Sequence, residues 1–234
     1  MVQEANRKKR STMSRKEIDK RTRIINERRR SRNTYLNRPR SESYENPGEI
    51  LPYLYVGGQV DAEDLSKLKS IGITHVLNAA ASLDTVHEEH FMYLRSDLDD
   101  DEDEDVVAAF DEAFRFIEDA KTIGGAVLVH CVAGMSRSVA IAVAWLVYGE
   151  NVSLVNALNM VRGRRPVALP NVGFRLALAK FEVKTLGYSS VLDAKDDPAW
   201  NFEALRNFPK VPRKPKANKN EQQQKQDGSC CCVL

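Results

Sequence analysis

Between residues 51 and 187 the chain switches repeatedly between short apolar runs and longer stretches with apolar positions three and four apart. LPYLYVGG (51–58) reads as a strand closed by a glycine turn, and DAEDLSKLKSIG (61–72) as a helix ending near Gly72. ITHVLNAAA (73–81) and HFMYLRSDL (90–98) read as strands, the second followed by an acid-rich loop. VVAAFDEAFRFIEDAKTIGG (106–125) has helical spacing and stops at two glycines, and AVLVH (126–130) is too short for an independent helix. Three more helices are predicted over 136–149, 153–165 and 171–187. Strands alternating with helices predict an α/β fold, with a central, mostly parallel sheet of about five strands flanked by helices. Ligands of such sheets bind beyond the carboxyl ends of the strands.

Charge divides the chain further. Residues 1–40 carry a net charge of +11, residues 41–205 carry −14 and residues 206–234 carry +5. Both basic ends lack apolar periodicity and are expected to be disordered, because they cannot bury enough surface to offset ordering entropy. The expected organisation is a basic arm over 1–46, a folded domain over 47–187 and a tail over 188–234. Within the tail, apolar residues around Trp200 are candidate anchors onto the domain. No run of about twenty apolar residues is present to span a bilayer, and the basic N-terminus lacks the apolar stretch of a secretory signal. A single thiol before residue 230 excludes a disulfide framework and fits a reducing compartment.

That thiol, Cys131, sits between the AVLVH strand and a helix, in HCVAGMSR. Gly134 lets the loop turn tightly, and the backbone amides of Val132, Ala133, Gly134, Met135, Ser136 and Arg137 are placed to converge on one anion. Arg137 opens the helix, where its planar fork can hold two oxygens of a phosphate. The same amides and the helix dipole stabilise a thiolate at Cys131. A thiolate beneath a bound phosphate is positioned for in-line attack. Free cysteines are more often plain buried hydrophobes, but here strand, glycine and helix all stand in the places this chemistry needs.

HCVAGMSRS strongly resembles the signature loop of the cysteine-dependent dual-specificity phosphatases. The resemblance covers about Glu49 to Gly187, including ILPYLYVGG and PNVGF. It implies Cys131 as nucleophile, Arg137 as phosphate-binding arginine and Ser138 as the hydroxyl that helps the thiolate leave in the second step. It also implies that His130 holds the loop by hydrogen bonds and that Asn171 supports it, although Asn171 reads equally well as a helix N-cap. The family's general acid is an aspartate on the loop after a strand. Family spacings from Tyr93 and from Phe116 and Ile117 point to Asp100 within SDLDDDEDED, with Asp99 and Asp101 as fallbacks. The implied activity is hydrolysis of phosphotyrosine and phosphoserine or phosphothreonine in proteins. Phosphoinositides, the 5′ phosphates of RNA, and a phospho-binding role without turnover are the alternatives.

No cofactor or metal is expected. HEEH (87–90) lacks the histidine spacing of a zinc protease and reads as a surface loop. Arg162, Arg164 and Arg165 read first as a solvated helix end and second as a lure for phosphorylated partners, and Trp145 reads as packing. The terminal CCVL fits a prenylation signal, with Cys231 as the prenylated residue, Leu234 favouring geranylgeranyl, and Cys230 a candidate for palmitoylation. One lipid chain holds weakly, and the lysines and arginines at 210, 213, 214, 216, 219 and 225 supply attraction to anionic lipid as the second signal. The expected partners are a phosphorylated protein and a membrane surface. Nucleic acid is left open by the arginine-rich arm, whose RKKR and RRRSR also fit a nuclear pool beside a cytoplasmic, membrane-attached one.

Overall fold

The computed structural model describes residues 46–194, 196–201, 205, 208–209 and 211–212. The basic arm, the polybasic segment beyond residue 212 and the lipidation candidates Cys230 and Cys231 lie outside them.

Five short strands form one sheet in the order β1-β2-β5-β3-β4. They are β1 (Gly48–Leu51), β2 (Leu54–Gly57), β3 (His75–Asn78), β4 (Met92–Arg95) and β5 (Val127–His130). All pairs are parallel except β1 with β2. The single strand expected over 51–58 is therefore a hairpin, its turn at Pro52 and Tyr53. Proline cannot donate to a ladder, so the apolar run breaks there and Gly48–Leu51 folds back on Leu54–Gly57. β5 is central, and all four of its residues are buried. A strand covered on both faces reads as a continuous apolar run.

The expected helix over 61–72 is two, α1 (Gln59–Glu63) and α2 (Leu65–Ser70). Asp64 interrupts it, because its side chain accepts from Lys67 N at 2.9 Å and caps α2. These two helices cover one face of the sheet over a small core that includes Leu68, Val76, Phe91 and Leu128. The other face carries α3 (Phe110–Thr122), α4 (Arg137–Gly149), α5 (Leu154–Arg164) and α6 (Val172–Leu186), with the main core between. A 3-10 turn, Val106–Ala109, leads into α3. α3 buries Phe110, Ala113, Phe114, Ile117 and Ala120, one face at helical spacing. α4 is buried continuously from Arg137 to Val147. Trp145 packs within it, and its indole N–H donates to Tyr53 Oη at 3.2 Å.

The folded body continues past Gly187. Ala199, Trp200 and Leu205 are buried in the main core, Arg175 donates to the Ala199 carbonyl, and Arg162 pairs with Asp197. Glu182 fixes the turn, accepting from Leu154 N and Ser190 N at 2.8 Å each. The apolar anchors around Trp200 thus dock on the domain, which ends later than the pattern of helices suggested.

Candidate active site

β5 ends at His130, and the chain then turns through residues 131–136 before α4 begins at Arg137. Cys131 is buried, with Sγ accepting the Gly134 amide at 3.3 Å and lying 3.3 Å from Ser138 Oγ. Burial by itself would push the thiol up. The Arg137 charge and hydrogen bonds from Ser138 outweigh it against opposition from Asp100, and the thiol is held below its ordinary value. The loop therefore favours the thiolate of Cys131 more than free solution does.

Each carbonyl of residues 132–135 accepts from a donor outside the loop. Val132 O accepts from Gln59 N at 3.0 Å, and Met135 O accepts from Leu169 N at 2.9 Å. Ala133 O and Gly134 O are both taken by the Arg165 guanidinium, at 3.0 and 2.8 Å. Arg165 Nη1 also lies 3.3 Å from Asp61 Oδ2, the oxygen that accepts from Gly58 N at 2.6 Å. Gly134 has φ of +66°, and a side chain there would meet Arg165 and the Gly57 carbonyl at about 2.5 Å. Its glycine is required twice, by conformation and by space.

Arg137 is buried and donates to Leu98 O at 3.2 Å, while its Nε lies 3.9 Å from Asp100 Oδ2. Asp100 Oδ1 accepts from Asn171 Nδ2 at 3.0 Å, and the same amide reaches Asp101 O at 3.2 Å. Asn171 makes the contacts of both readings the sequence left open. Its Oδ1 caps α6 by accepting from Phe174 N at 2.8 Å, and its own N–H donates to Ser136 Oγ at 3.0 Å. At the second residue of α6, a Cβ on Gly173 would overlap the Glu102 carbonyl. The acid-rich loop thus lies directly on the start of that helix.

His130 is buried, its ring making no hydrogen bond of close geometry but lying against the Cys131 backbone of the loop. Burial pushes it down to about 4, with the Cys131 backbone pulling the other way. A neutral ring costs less to bury than a charged one. The three-arginine cluster also separates: Arg164 is exposed, Arg162 turns to Ala168 O and Asp197, and only Arg165 enters the site. Arg165 and Gly173 are the two site residues the sequence reading missed. Three arginines around a helix end give no sign of which one turns inward, and Gly173 meets a partner 71 positions away. Among the described residues no group of three or more potential metal ligands occurs. His87 contacts the Glu63 carbonyl and His90 pairs with Glu89.

Residues 54–184 match the family model described as the dual specificity phosphatase catalytic domain. The chain is 43% identical over 136 residues to Dual specificity protein phosphatase 1 of Arabidopsis thaliana, which spans 58% of this chain and 69% of that one. It is 41% identical over 150 residues to Dual specificity protein phosphatase 2 of Mus musculus, covering 63% of this chain and 47% of the relative, so it matches only about half of that protein. Among solved structures it resembles a mouse putative dual specificity phosphatase complexed with zinc tungstate. The TM-score there is 0.59 at 30% identity, over 64% of this chain and 95% of the other.

Proposed function

The chain belongs to the dual specificity phosphatase family, and on that premise we propose that it hydrolyses phosphotyrosine and phosphoserine or phosphothreonine of proteins through a cysteinyl-phosphate intermediate. The observation that carries the reading is the environment of Cys131. Its thiol is held below the ordinary value, the four loop carbonyls from 132 to 135 each meet an outside donor, and Arg137 stands beside it at the head of α4.

In the first step the loop amides and the Arg137 fork hold the phosphoryl oxygens. Sγ attacks phosphorus in line, the ester P–O bond breaks, and Asp100 in its protonated form gives its proton to the departing oxygen. In the second step Asp100, now a carboxylate, takes a proton from water as that water attacks phosphorus. The P–S bond breaks, inorganic phosphate forms, and the Ser138 hydroxyl at 3.3 Å stabilises the returning thiolate. The zinc tungstate complex of the related mouse protein is in keeping with such a cradle, tungstate being a tetrahedral oxyanion like phosphate.

The proposal extends to location: prenylation at Cys231, acylation at Cys230 and the polybasic segment place the enzyme at the cytoplasmic face of a membrane. One experiment examines both halves. Cys131→Ser and Cys231→Ser chains are expressed in eukaryotic cells, fractionated, and assayed in chelator on phosphotyrosine and phosphothreonine peptides, phosphoinositides and triphosphorylated RNA. The first variant is expected to lose turnover and stay with membranes; the second is expected to keep turnover and become soluble. Turnover surviving in Cys131→Ser would refute the mechanism, and unchanged partition of Cys231→Ser would refute the tether. Phosphopeptide binding without turnover by the wild type would make the protein a binding module.

A further inference from the structure

We infer that Arg165 is a positioning residue for the phosphate loop, a clamp that turns two successive peptide units so that their amides face the bound oxyanion. A trans peptide carries its C=O and N–H on opposite sides. Drawing Ala133 O outward therefore drives the Gly134 N–H inward, and that amide is the one found 3.3 Å from Cys131 Sγ. Drawing Gly134 O outward does the same for the Met135 amide. The neighbouring carbonyls, Val132 O and Met135 O, are held by main-chain amides of residues 59 and 169. Ala133 O and Gly134 O instead depend on one side chain, which only a planar fork can supply to both at once.

The clamp is anchored from behind. Asp61, itself buried, pairs with Nη1 and accepts the Gly58 amide, which ties the guanidinium to the turn between β2 and α1. There is no slack for the loop to relax into, because an added Cβ at Gly58 would stand 3.0 Å from Val132 O. Arg165 acts on the reaction only through the loop, so its loss should appear in oxyanion binding as much as in turnover.

The inference rests on the loop being a phosphate cradle, and the test separates the two. Tungstate affinity of the full chain is read from the protection it gives Cys131 against iodoacetamide, with thermal unfolding followed in parallel. Arg165→Lys keeps a charge for Asp61 but cannot fork to two carbonyls. It is expected to weaken tungstate at least tenfold and to lower kcat for an aryl phosphate while unfolding near the wild-type temperature. Asp61→Asn, which leaves the fork but loosens its anchor, should weaken tungstate about threefold. Arg164→Met, one position away and exposed, should change neither. A folded Arg165→Lys or Asp61→Asn that binds tungstate as tightly as the wild type would overturn the clamp. A wild type that tungstate does not protect would overturn the cradle itself.

Discussion

The loop over residues 131–137 and the loop over residues 97–105 face the same site but are held in opposite ways. In the first, Cys131, Gly134, Ser136 and Arg137 are buried, and each carbonyl from 132 to 135 meets an outside donor. In the second, Asp97, Asp100, Asp101, Glu102, Asp103 and Asp105 are all exposed. That loop is joined to the rest of the site through Asn171, through Arg137, which donates to Leu98 O at 3.2 Å and lies 3.9 Å from Asp100, and through its close approach to Gly173. The half proposed to bind phosphate is held on every carbonyl, whereas the half proposed to supply the proton rests on a few contacts near water. Preorganisation matters most where charge must be stabilised. A proton donor has to meet leaving groups of different size and has more to gain from latitude.

If the two halves are separable, removing the donor should leave binding untouched. Asp100→Asn is expected to lower kcat on alkyl phosphates by about 10²–10⁴-fold. Activated aryl phosphates, which leave without a proton, should lose far less, and tungstate affinity should stay as it is. Equal losses on both substrate types would move the acid to a neighbour such as Asp99 or Asp101. Gly173→Ala probes the seat of the loop rather than its acid. The added methyl must displace the Glu102 backbone, and misplacing a catalytic group by about 1 Å costs on the order of 10²-fold. Steady-state kinetics should show that loss in kcat on poor leaving groups, again with tungstate binding intact; a parallel loss of binding would join the two halves into one unit.

The smallest effect concerns the fixed half and is read in stability. His130 is pushed by burial to about 4 from 6.5. The unfolded chain takes up a proton near the higher value that the folded chain refuses until the lower one, so stability is complete above the first and falls as the pH drops between them. Denaturant melts should lose about 2 kcal/mol between neutral pH and roughly pH 5 from this residue. His130→Asn should flatten that slope, and an unchanged slope would assign the acid lability elsewhere.

Most of the scaffold was legible in the sequence because it is built from periodicity. The β5 run, the amphipathic α3 and the continuous apolar run of α4 from Val139 to Val147 each follow from the spacing of buried positions. Cys131, Arg137 and Ser138 lie within one short segment, so their proximity was local information. What the sequence hid depends on distance or on a single dihedral. The hairpin of β1 and β2 was hidden because a four-residue strand on either side of Pro52 has too few positions to show a period. Arg165 could not be told from Arg162 and Arg164, because its direction is set where α5 ends and the backbone leaves helical geometry, at φ −137° and ψ 87°. Asp100 is singled out among its neighbours only by family spacing. Its contacts come from Asn171 and Arg137, 71 and 37 positions away along the chain.

The place of β5 in the sheet also bears on how the molecule is made. β2 and β3 are neighbours in sequence but not in space, and β5 enters between them from about fifty residues later. Until it does, neither of the two pairs that β5 makes can form, and such non-local pairing is slow because loop closure must precede the contacts that reward it. The nucleophile stands at the end of that last-inserted strand, and residues 165, 171 and 173, which complete its surroundings, are synthesised later still. A nascent chain emerging from the ribosome therefore carries Cys131 as an ordinary thiol before the groups that act on it are in place, and phosphatase competence should appear abruptly, after α6 has been translated, rather than growing with length.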